Sequence, residues 1–367
     1  MAPLRVGYDV GPEYGHRTGV GVAVHEMRAA LARRDDLTVV PYLLSFRTRP
    51  EPPVHRLALP ATLAHRLWRY VSAPRVERVL GPLDIVHGTN YVAPPSGGAR
   101  VVSVYDCWFL EHPDQARPDV RRAGEVLRRN VRDGVHVHAS SHATAQRVRT
   151  LLGTDAVTVV HLGPPSEAGS DGAPPVGLLD EIAGRPIVLS LGTLERRKAV
   201  PTLVRAFGHI AGGDDDTVLV IAGAPGDDAD AVATATASLD PRARARVLRA
   251  GSVDDATKRW LLHTARVLAY PSLDEGFGFP LLEAQRAGTP IVATRTGSIP
   301  EVAGKGAQLV APGDVDDLAN ALRRVLDDDD RRAELIAAGH RNRARFSWDR
   351  TARAMAALYR RVVEQQR

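Results

Sequence analysis

The chain has 367 residues, with 48 Lys and Arg against 43 Asp and Glu, 44% hydrophobic residues and a single cysteine. This composition excludes disordered and collagen-like proteins, and the length favours two domains, at about 150 residues per domain. Cys107 cannot form an intramolecular disulfide, which favours a reducing, cytoplasmic location. Because neither a signal-peptide pattern nor a run of about 18 apolar residues is present, neither secretion nor a membrane span is expected.

The positive charge is concentrated in the first half of the chain. Residues 1–150 carry 21 Arg and 14 acidic residues, a net charge of +7, whereas residues 151–367 carry 27 basic and 29 acidic residues, a net charge of −2. This asymmetry indicates an anionic partner for the first half: a lipid surface, a phosphorylated acceptor or a nucleic acid. The alternative is codon bias, since only Lys198, Lys258 and Lys305 among the 48 basic residues are lysine.

Short apolar runs alternate with helix-like segments along the whole chain, a pattern typical of βαβ units and parallel sheets. In the first half, strands are predicted at residues 4–10, 38–42, 84–87, 101–105 and 135–139. In the second half, strands are predicted at residues 186–191, 218–222, 247–250, 267–270, 290–293 and 308–310. Residues 163–175, which are rich in Pro, Gly, Ser and Ala, separate the two sets and are predicted to form a linker.

The pattern therefore predicts an α/β protein of two Rossmann-like domains, one over residues 1–165 and one over residues 176–345. Ligands of open parallel sheets bind at the carboxyl ends of the strands, so two such edges that face each other form a cleft. Residues 346–367 have apolar side chains at helical spacing. This last segment is predicted to be a helix, with docking on the N-terminal domain as one possibility.

The most informative segment is residues 266–294, RVLAYPSLDEGFGFPLLEAQRAGTPIVAT. It is interpreted as a buried strand, a loop, and a helix that begins at Pro280 and ends at Gly288. Gly276 and Gly278 allow close approach of the backbone in the loop. The N–H groups and the positive dipole at the start of the helix favour a phosphate.

Two carboxylates flank this arrangement, Glu275 in the loop and Glu283 in the predicted first turn of the helix. Carboxylates accept hydrogen bonds from sugar hydroxyls, as does the acidic residue that holds the ribose in Rossmann sites. For Glu283 the alternative is helix capping, because acidic side chains also suit a first helical turn.

The decapeptide EGFGFPLLEA, residues 275–284, resembles the E-x7-E signature of the retaining family 4 glycosyltransferases, the glycosyl transferases group 1, which have the GT-B fold. The resemblance extends over almost the whole chain, and the order and spacing of its segments make it specific. The further segments are residues 190–207, 218–226, 249–273, 297–304 and 346–348. It implies two Rossmann-like domains that face a central cleft. It also implies transfer of a sugar, of mannose or glucose type, from a nucleoside diphosphate to a hydroxyl with retained anomeric configuration, in polysaccharide, glycolipid or glycoside biosynthesis.

In this family the first Glu of the signature contacts the donor sugar and the second binds the ribose hydroxyls, roles that fall on Glu275 and Glu283. A basic pair after the first strand of the C-terminal domain holds the diphosphate and stabilises the charge that develops on it, and Arg197 and Lys198 match that pair. Val253 corresponds to a nucleobase contact made through backbone atoms, so the base is not readable from side chains. The other donor-side residues are Thr193, Gly276, Phe277, Gly278, Phe279 and Leu282.

The resemblance implies no cofactor besides a UDP- or GDP-sugar as co-substrate. No metal is expected, because Arg197 and Lys198 can neutralise the diphosphate. The acidic runs at residues 214–216 and 327–330 are interpreted as solvated surface rather than as metal ligands.

The first loop of the N-terminal half, residues 11–27, contains Gly19 and Gly21 but not a complete G-x-G-x-x-G fingerprint. In the family a Gly-rich first loop lies close to the donor phosphate and the acceptor, which implies that position for both glycines. For Gly21 the alternative is a tight turn that requires only a positive φ.

On the acceptor side, many relatives carry a His-Asp pair after the strand predicted here at residues 101–105, whereas this chain has Tyr105 and Asp106. Asp106 is therefore expected to reach the acceptor or the sugar, as part of the catalytic set with Glu275, Arg197 and Lys198. Further acceptor-side candidates are His87, Asn90 and Tyr105, with a structural role as the alternative for His87.

A basic predicted helix and the segment HRLWRY, residues 65–70, favour peripheral contact with the inner face of a membrane, where many relatives glycosylate lipid-linked acceptors. The alternative is a solvated helix face. The arginines of that helix are Arg117, Arg121, Arg122, Arg128, Arg129 and Arg132. Nucleic acid is not an expected partner, because no aromatic and basic recognition module is present. The alternative functions are a GT-B-like sugar-nucleotide epimerase or phosphorylase, and a non-catalytic nucleotide-sugar-binding protein.

Overall fold

The computed structural model describes residues 2–15, 18–166, 176–211 and 216–366. Most of the predicted linker, and two residues of the acidic run at 214–216, lie outside the described residues. The chain forms two compact units: the first unit is residues 1–165 together with 346–367, and the second unit is residues 166–345. None of the described helices combines the length and the apolar character of a membrane-spanning segment.

Strands and helices alternate through both units, as the apolar pattern predicts. The strands are β1 (Leu4–Asp9), β2 (Leu37–Leu44), β3 (His55–Leu57), β4 (Ile85–Gly88), β5 (Ala99–Val104), β6 (His136–Ala139), β7 (Val157–Val159), β8 (Ile187–Leu191), β9 (Val218–Ala222), β10 (Val247–Gly251), β11 (Val267–Tyr270), β12 (Ile291–Thr294) and β13 (Gln308–Val310). The α-helices are α1 (Gly19–Ala32), α2 (Ala61–Trp68), α3 (Glu77–Leu80), α4 (Trp108–Glu111), α5 (Pro118–Arg132), α6 (His142–Leu152), α7 (Val176–Ile182), α8 (Val200–Ile210), α9 (Ala229–Ala237), α10 (Pro241–Arg244), α11 (Asp255–Thr264), α12 (Phe279–Ala287), α13 (Ile299–Ala303), α14 (Val315–Asp327), α15 (Asp329–Arg343) and α16 (Trp348–Gln366).

The first unit contains a parallel sheet with the strand order β3-β2-β1-β4-β5-β6-β7. The predicted strands of this half are all present, which confirms the α/β interpretation. The edge strands β3 and β7 were not predicted, because three residues each are too few to give an alternating or apolar pattern.

The second unit contains a parallel sheet with the order β10-β9-β8-β11-β12-β13. Three of its predicted strands, at residues 218–222, 267–270 and 308–310, have the observed bounds. Pro186 and Pro290 were predicted to begin strands but lie just before β8 and β12. Proline has no N–H to donate to a ladder, so the strand begins at the residue after it.

The C-terminal helix α16 belongs to the first unit, where it packs against α1 and β5. Its apolar face is buried, with Met355 and Tyr359 fully inaccessible to solvent. Two side chains at its start donate hydrogen bonds to the segment that follows β7. Trp348 Nε1 donates to the Pro164 carbonyl (2.7 Å), and Thr351 Oγ1 donates to the His161 carbonyl (2.7 Å). The helix therefore returns to the unit that holds the N-terminus, although it follows the second unit in sequence.

A chain of buried hydrogen bonds joins α16 to the centre of the first sheet. The Tyr359 hydroxyl is bonded to His87 Nδ1 (2.7 Å), and His87 Nε2 to Ser103 Oγ (2.7 Å). Ser103 Oγ is also bonded to His138 Nδ1 (2.8 Å), and His138 Nε2 to the Val160 carbonyl (3.0 Å). All four side chains are fully buried. Burial lowers the pKa of His138 from 6.5 to about 4 and holds the pKa of His87 well below its usual value.

The first unit is expected to lose stability between pH 7 and pH 5. In this range the unfolded chain binds protons at these histidines and the folded chain does not, so the free energy of unfolding falls as the pH falls. For a pKa of about 4, His138 alone accounts for roughly 2 kcal/mol of this loss. Urea unfolding measures it, with Trp fluorescence in a Trp260→Phe background, because the three other tryptophans lie in the first unit.

The matched control for this loss is His55→Gln, since His55 is an exposed histidine of the same unit. The control is expected to show the same pH dependence as the parent protein. Equal free energies of unfolding at pH 7 and pH 5 would contradict the assignment of two neutral, buried histidines.

Candidate active site

The loop between β11 and α12 carries Glu275 and is fixed along its length by the segment that follows β12. Thr294 Oγ1 donates to the Ser272 carbonyl, and Thr296 Oγ1 donates to the Leu273 carbonyl at 3.0 Å. Ser298 donates twice, from its N–H to the Glu275 carbonyl (3.0 Å) and from its hydroxyl to the Phe277 carbonyl (3.0 Å). Four hydrogen bonds from one segment therefore hold the backbone of the loop between Ser272 and Phe277.

Gly297 permits this close contact between the two segments. Its φ is +50°, and a Cβ atom there would lie 2.7 Å from the Glu275 carbonyl oxygen and 2.9 Å from Asp274 Oδ1. Both the conformation and the space require glycine at this position. The backbone of Glu275 is thus positioned by a residue that is 22 positions away in sequence.

The Glu275 carboxylate is buried, 5% exposed, and is bound by three side chains. Lys198 Nζ contacts Oε1, Arg197 Nη1 donates to Oε2 at 3.1 Å, and Ser272 Oγ donates to Oε1 at 2.8 Å. Both cations come from a short 3₁₀ helix after β8, Arg196–Lys198, and the Leu273 N–H donates to the Arg197 carbonyl at 2.7 Å. The structure thus brings together Glu275, Arg197 and Lys198, which the resemblance assigns to the donor site from motifs about 78 residues apart.

Burial by itself would raise the pKa of Glu275, but the charges of Lys198 and Arg197 and the hydrogen bonds from Lys198 and Ser272 outweigh it. The pKa falls from 4.5 to about 2. Glu275 is therefore ionised throughout the physiological range. Two carboxylates pair with these two cations, the buried Glu275 and the 40% exposed Glu195, and together they hold the cations in place for an anionic ligand.

Helix α12 begins next to this cluster. Gly278 precedes it with a φ of +92°, and no side chain caps the helix. Pro280 is the second helical residue rather than the predicted first, because the left-handed Gly278 lets the helix begin at Phe279. The helix ends at Gly288, in the predicted left-handed conformation. A helix start without a side-chain cap favours a phosphate through its dipole and N–H groups.

Glu283 does not lie in the first turn of α12, and this corrects the sequence interpretation. It is the fifth helical residue, 5% exposed, and Lys258 Nζ of α11 lies 2.7 Å from its Oε1. Lys258 also lies 3.3 Å from Asp255 Oδ1. Helix capping is therefore not the role of Glu283. Sequence reasoning missed Lys258, although its rarity as one of three lysines was an available signal.

The other donor-side candidates are divided by their exposure. Thr193 and Val253 are half-buried after β8 and β10. A cavity of about 500 Å³ adjoins Val253 and is also lined by Ser252, Arg249 and Thr257. The Leu282 side chain is fully buried and supports α12, and the donor contact expected at this residue stays a prediction.

Gly19 and Gly21 lie in the first turn of α1, where Thr18 Oγ1 accepts from the Gly21 N–H at 3.2 Å. Gly21 does not have a positive φ, so the tight-turn alternative is wrong. A Cβ atom on Gly21 would lie 2.5 Å from the Pro12 carbonyl oxygen. Glycine is required there because the preceding loop passes directly over the helix.

The acceptor-side candidates of the first unit fall into two groups, buried core residues and residues at the carboxyl edge of the sheet. His87 is fully buried with both ring nitrogens bonded within the core, so its assignment to the acceptor side is corrected to a structural role. Tyr105 is 6% exposed and its ring packs edge-on against His138. Asp106 and Asn90 are half-buried after β5 and β4, and Asp106 Oδ1 accepts from the Trp108 N–H at 3.2 Å. These two remain at the carboxyl edge of the sheet.

A family model for glycosyl transferases group 1 matches residues 179–342. The chain is 44% identical over 110 residues to an MMP alpha-(1->4)-mannosyltransferase from Mycolicibacterium hassiacum, a match that covers 28% of this chain and only 26% of that relative's length. A solved structure of HepE from Anabaena in complex with UDP and glucose has a TM-score of 0.69 at 17% identity, with 96% of this chain and 98% of that chain covered. This likeness shows the two-domain α/β GT-B fold.

The chain is also 30% identical over 402 residues to a D-inositol 3-phosphate glycosyltransferase from Xylanimonas cellulosilytica, with 96% of this chain and 94% of that protein covered. A match of this extent, over nearly the full length of both chains, establishes that the protein belongs to the glycosyl transferases group 1.

Proposed function

We propose that the protein transfers a hexose, of mannose or glucose type, from a nucleoside diphosphate to a hydroxyl group, with retention of anomeric configuration. The observation that carries this proposal is the buried Glu275 carboxylate with Lys198 and Arg197 bound to it, beside the start of α12. The donor binds the second unit and the acceptor binds the first. The similarity to a mannosyltransferase supports a hexose as the sugar, and the UDP and glucose bound in the Anabaena structure support a nucleoside diphosphate donor.

The reaction breaks the bond between the anomeric carbon and the phosphate oxygen and forms a bond from that carbon to the acceptor oxygen. Negative charge grows on the departing phosphate, where Lys198, Arg197 and the start of α12 stabilise it. The acceptor proton passes to the departing phosphate on the same face of the sugar. These cations supply the charge that a divalent metal supplies in other transferases, so we infer that the reaction needs no metal.

In this proposal the Glu283 carboxylate accepts hydrogen bonds from the ribose hydroxyls of the donor. This carboxylate is oriented by Lys258, whose Nζ lies 2.7 Å from Oε1. Backbone atoms around Val253 contact the base. UDP- and GDP-sugars both satisfy this arrangement, since neither Glu283 nor the diphosphate cluster discriminates between bases.

A thermal-shift screen with UDP, GDP and ADP and their glucose and mannose derivatives tests the donor site. A ligand that binds only the folded protein raises the midpoint temperature of unfolding. At a ligand concentration of 100 times the dissociation constant, the folded state is stabilised by about 2.7 kcal/mol. NMR of the product then reports the anomeric configuration. No shift with any of these nucleotides rejects the donor proposal, an inverted product rejects retention, and conversion of the sugar nucleotide without an acceptor favours the epimerase alternative.

We further propose that the first unit makes a peripheral contact with an anionic lipid surface, which would place it near a lipid-linked acceptor. Three apolar side chains at or just after α2 are exposed at helical spacing, Leu63 (45%), Leu67 (39%) and Tyr70 (65%), and Arg66 lies among them. Exposed apolar and Arg side chains together are typical of an interfacial helix. The arginines at α5 contribute less than their number suggests, because Arg117, just before the helix, and Arg129, within it, are paired with acidic residues.

Flotation with vesicles of phosphatidylcholine and phosphatidylglycerol is expected to recover the protein at low salt. Leu63→Ser combined with Leu67→Ser should abolish recovery, because it removes the exposed apolar surface of α2 and leaves its charge unchanged. The matched control is Val79→Ser, since Val79 is equally exposed (50%) but lies outside α2. Absence of binding by the parent protein at low salt rejects the membrane contact.

A further inference from the structure

Asp9 is a carboxylate that neither the family signature nor the donor site uses. It is the last residue of β1, half-buried, at the carboxyl edge of the first sheet where ligands of parallel sheets bind. Its Oδ1 accepts from the Gly11 N–H at 2.8 Å, and it forms no ion pair with a described residue. Burial, with a further contribution from Glu13, raises its pKa from 3.8 to about 7.

Tyr42 lies directly beside Asp9. The two residues are register partners on the neighbouring strands β2 and β1, so their side chains project from the same face of the sheet. The negative charge of Asp9 adds to burial in raising the pKa of Tyr42, which places the two groups close together. Tyr42 is 1% exposed, and its hydroxyl has no hydrogen-bond partner within the described part of the chain.

A second unpartnered polar atom lies at the same edge. The loop after β4 adjoins the end of β1, because Thr89 Oγ1 donates to the Asp9 carbonyl at 2.8 Å. Asn90 follows Thr89, and its buried Oδ1 likewise has no partner among the described residues. Buried polar atoms in folded proteins nearly always have a partner. One such atom on the register partner of Asp9 and another in the loop that adjoins the end of β1 are therefore groups that a polar ligand would satisfy.

We propose that Asp9, Tyr42 and Asn90 form a hydroxyl-binding site of the first unit and that they bind hydroxyl groups of the acceptor sugar; the assignment to the acceptor rests on the proposed transferase function. A carboxyl group, a phenol and an amide offer both donors and acceptors, as neighbouring hydroxyls of a pyranose require. Tyr42 and Asp9 lie on the adjacent strands β2 and β1, and Asn90 lies in the loop after β4, the next strand of the sheet. Asp106, after the next strand β5, extends the same edge.

The probe for this site is methyl α-D-mannopyranoside, a neutral sugar that tests hydroxyl recognition without a phosphate. Saturation-transfer NMR on the full chain, at up to roughly 50 mM sugar, is expected to detect binding. Asp9→Asn and Tyr42→Phe should each weaken binding by about ten-fold, the effect of one lost hydrogen bond to a polar or charged group. No detectable binding to the parent protein overturns the proposal, as does affinity within two-fold of the parent in both variants.

The chain supplies a matched control for each variant. Asp84 also accepts a backbone N–H, from Arg5 at 2.8 Å, but it precedes β4 at the opposite edge of the sheet, so Asp84→Asn should leave sugar affinity unchanged. Tyr8 is buried and its hydroxyl donates to the Val24 carbonyl at 3.1 Å, so Tyr8→Phe should lower Tm and leave affinity unchanged. Tyr42→Phe removes an unpartnered hydroxyl, so its Tm should equal or exceed that of the parent while affinity falls. A lower Tm with unchanged affinity in Tyr42→Phe would show a purely structural role.

Nucleotide binding distinguishes failure of this site from failure of the transferase proposal. The thermal shift with UDP or GDP tests the second unit and should be the same in Asp9→Asn as in the parent. Sugar binding without a nucleotide shift retains the hydroxyl site and rejects the transferase. A thermal shift with a nucleotide but no sugar binding retains the transferase proposal and rejects the hydroxyl site.

Discussion

Glu275→Gln is expected to lower kcat by roughly 100-fold or more while the protein remains folded. Glutamine keeps the shape of the side chain and can still accept from Ser272, but it removes the charge bound by Lys198 and Arg197. Those cations then lose the group that holds them in place for the diphosphate. With a pKa of about 2, Glu275 is ionised at every working pH, so the loss should be the same from pH 6 to pH 9. Initial rates of transfer from a labelled donor measure it.

The matched control is Glu195→Gln, since Glu195 also pairs with Arg197, at 2.8 Å, but is 40% exposed. An exposed pair contributes little, so its activity should stay within about two-fold of the parent. A Glu275→Gln variant with more than half of the parent activity would refute the assignment of Glu275 to the catalytic set.

Lys198→Met is expected to weaken donor binding by at least about ten-fold, because a cation that would contact the diphosphate is lost. It should also destabilise the second unit by roughly 3 kcal/mol, since removal of one partner leaves a buried carboxylate less well compensated. Lys198 and Glu275 are 13% and 6% exposed, so solvent does little to screen their interaction. Isothermal titration with UDP and GDP measures the affinity, and thermal unfolding measures the stability.

The same substitution changes the pH dependence in a defined direction. In the parent, the cations lower the pKa of Glu275 from 4.5 to about 2, so this contribution to stability is complete above pH 4.5 and is lost as the pH falls towards 2. Without Lys198, burial is opposed by Arg197 and Ser272 alone and the pKa rises. The acid limb of kcat/KM should therefore move to higher pH in Lys198→Met and return towards the parent position in Lys198→Arg.

Lys305→Met is the matched control for charge removal, because Lys305 is an exposed lysine of the same unit. Donor affinity and the acid limb should both be unchanged in it. Donor affinity in Lys198→Met equal to that of Lys305→Met would remove Lys198 from the diphosphate site.

The β11–α12 segment shows why its part of the fold could be predicted from local patterns. A buried strand of a parallel sheet is apolar on both faces, and a helix that ends at glycine is marked by one residue, so both signals lie within a few positions of the element they predict. The E-x7-E spacing likewise belongs to one loop and one helix. The elements that carry this motif were therefore predicted closely, and the error there, a helix start at Phe279 rather than Pro280 that moves Glu283 out of the first turn, amounts to one residue.

Partners that are distant in sequence were not predictable in this way. His87 lies in a short strand that is followed by polar residues, a pattern that fits a ligand site and a buried core equally well. Only the packing of α16 onto the sheet decides between them, because Tyr359 lies 272 residues further along the chain and binds the ring. Lys258 was missed for the same reason, since its partner Glu283 lies on the next helix.

Asp9 and Tyr42 mark the clearest limit of sequence reasoning. Asp9 ends β1 and Tyr42 lies within β2, and neither residue belongs to a motif. They become neighbours through the register of β1 and β2, and the pKa of Asp9 rises because burial in the folded chain, together with Glu13, disfavours its charged form. Residue order thus determined the α/β class, the family and the donor motif, because those signals are local or repeated. Burial, ion pairing and the hydrogen-bond partners of polar groups were decided by tertiary contacts, because solvent exclusion and charge interactions depend on distance in space.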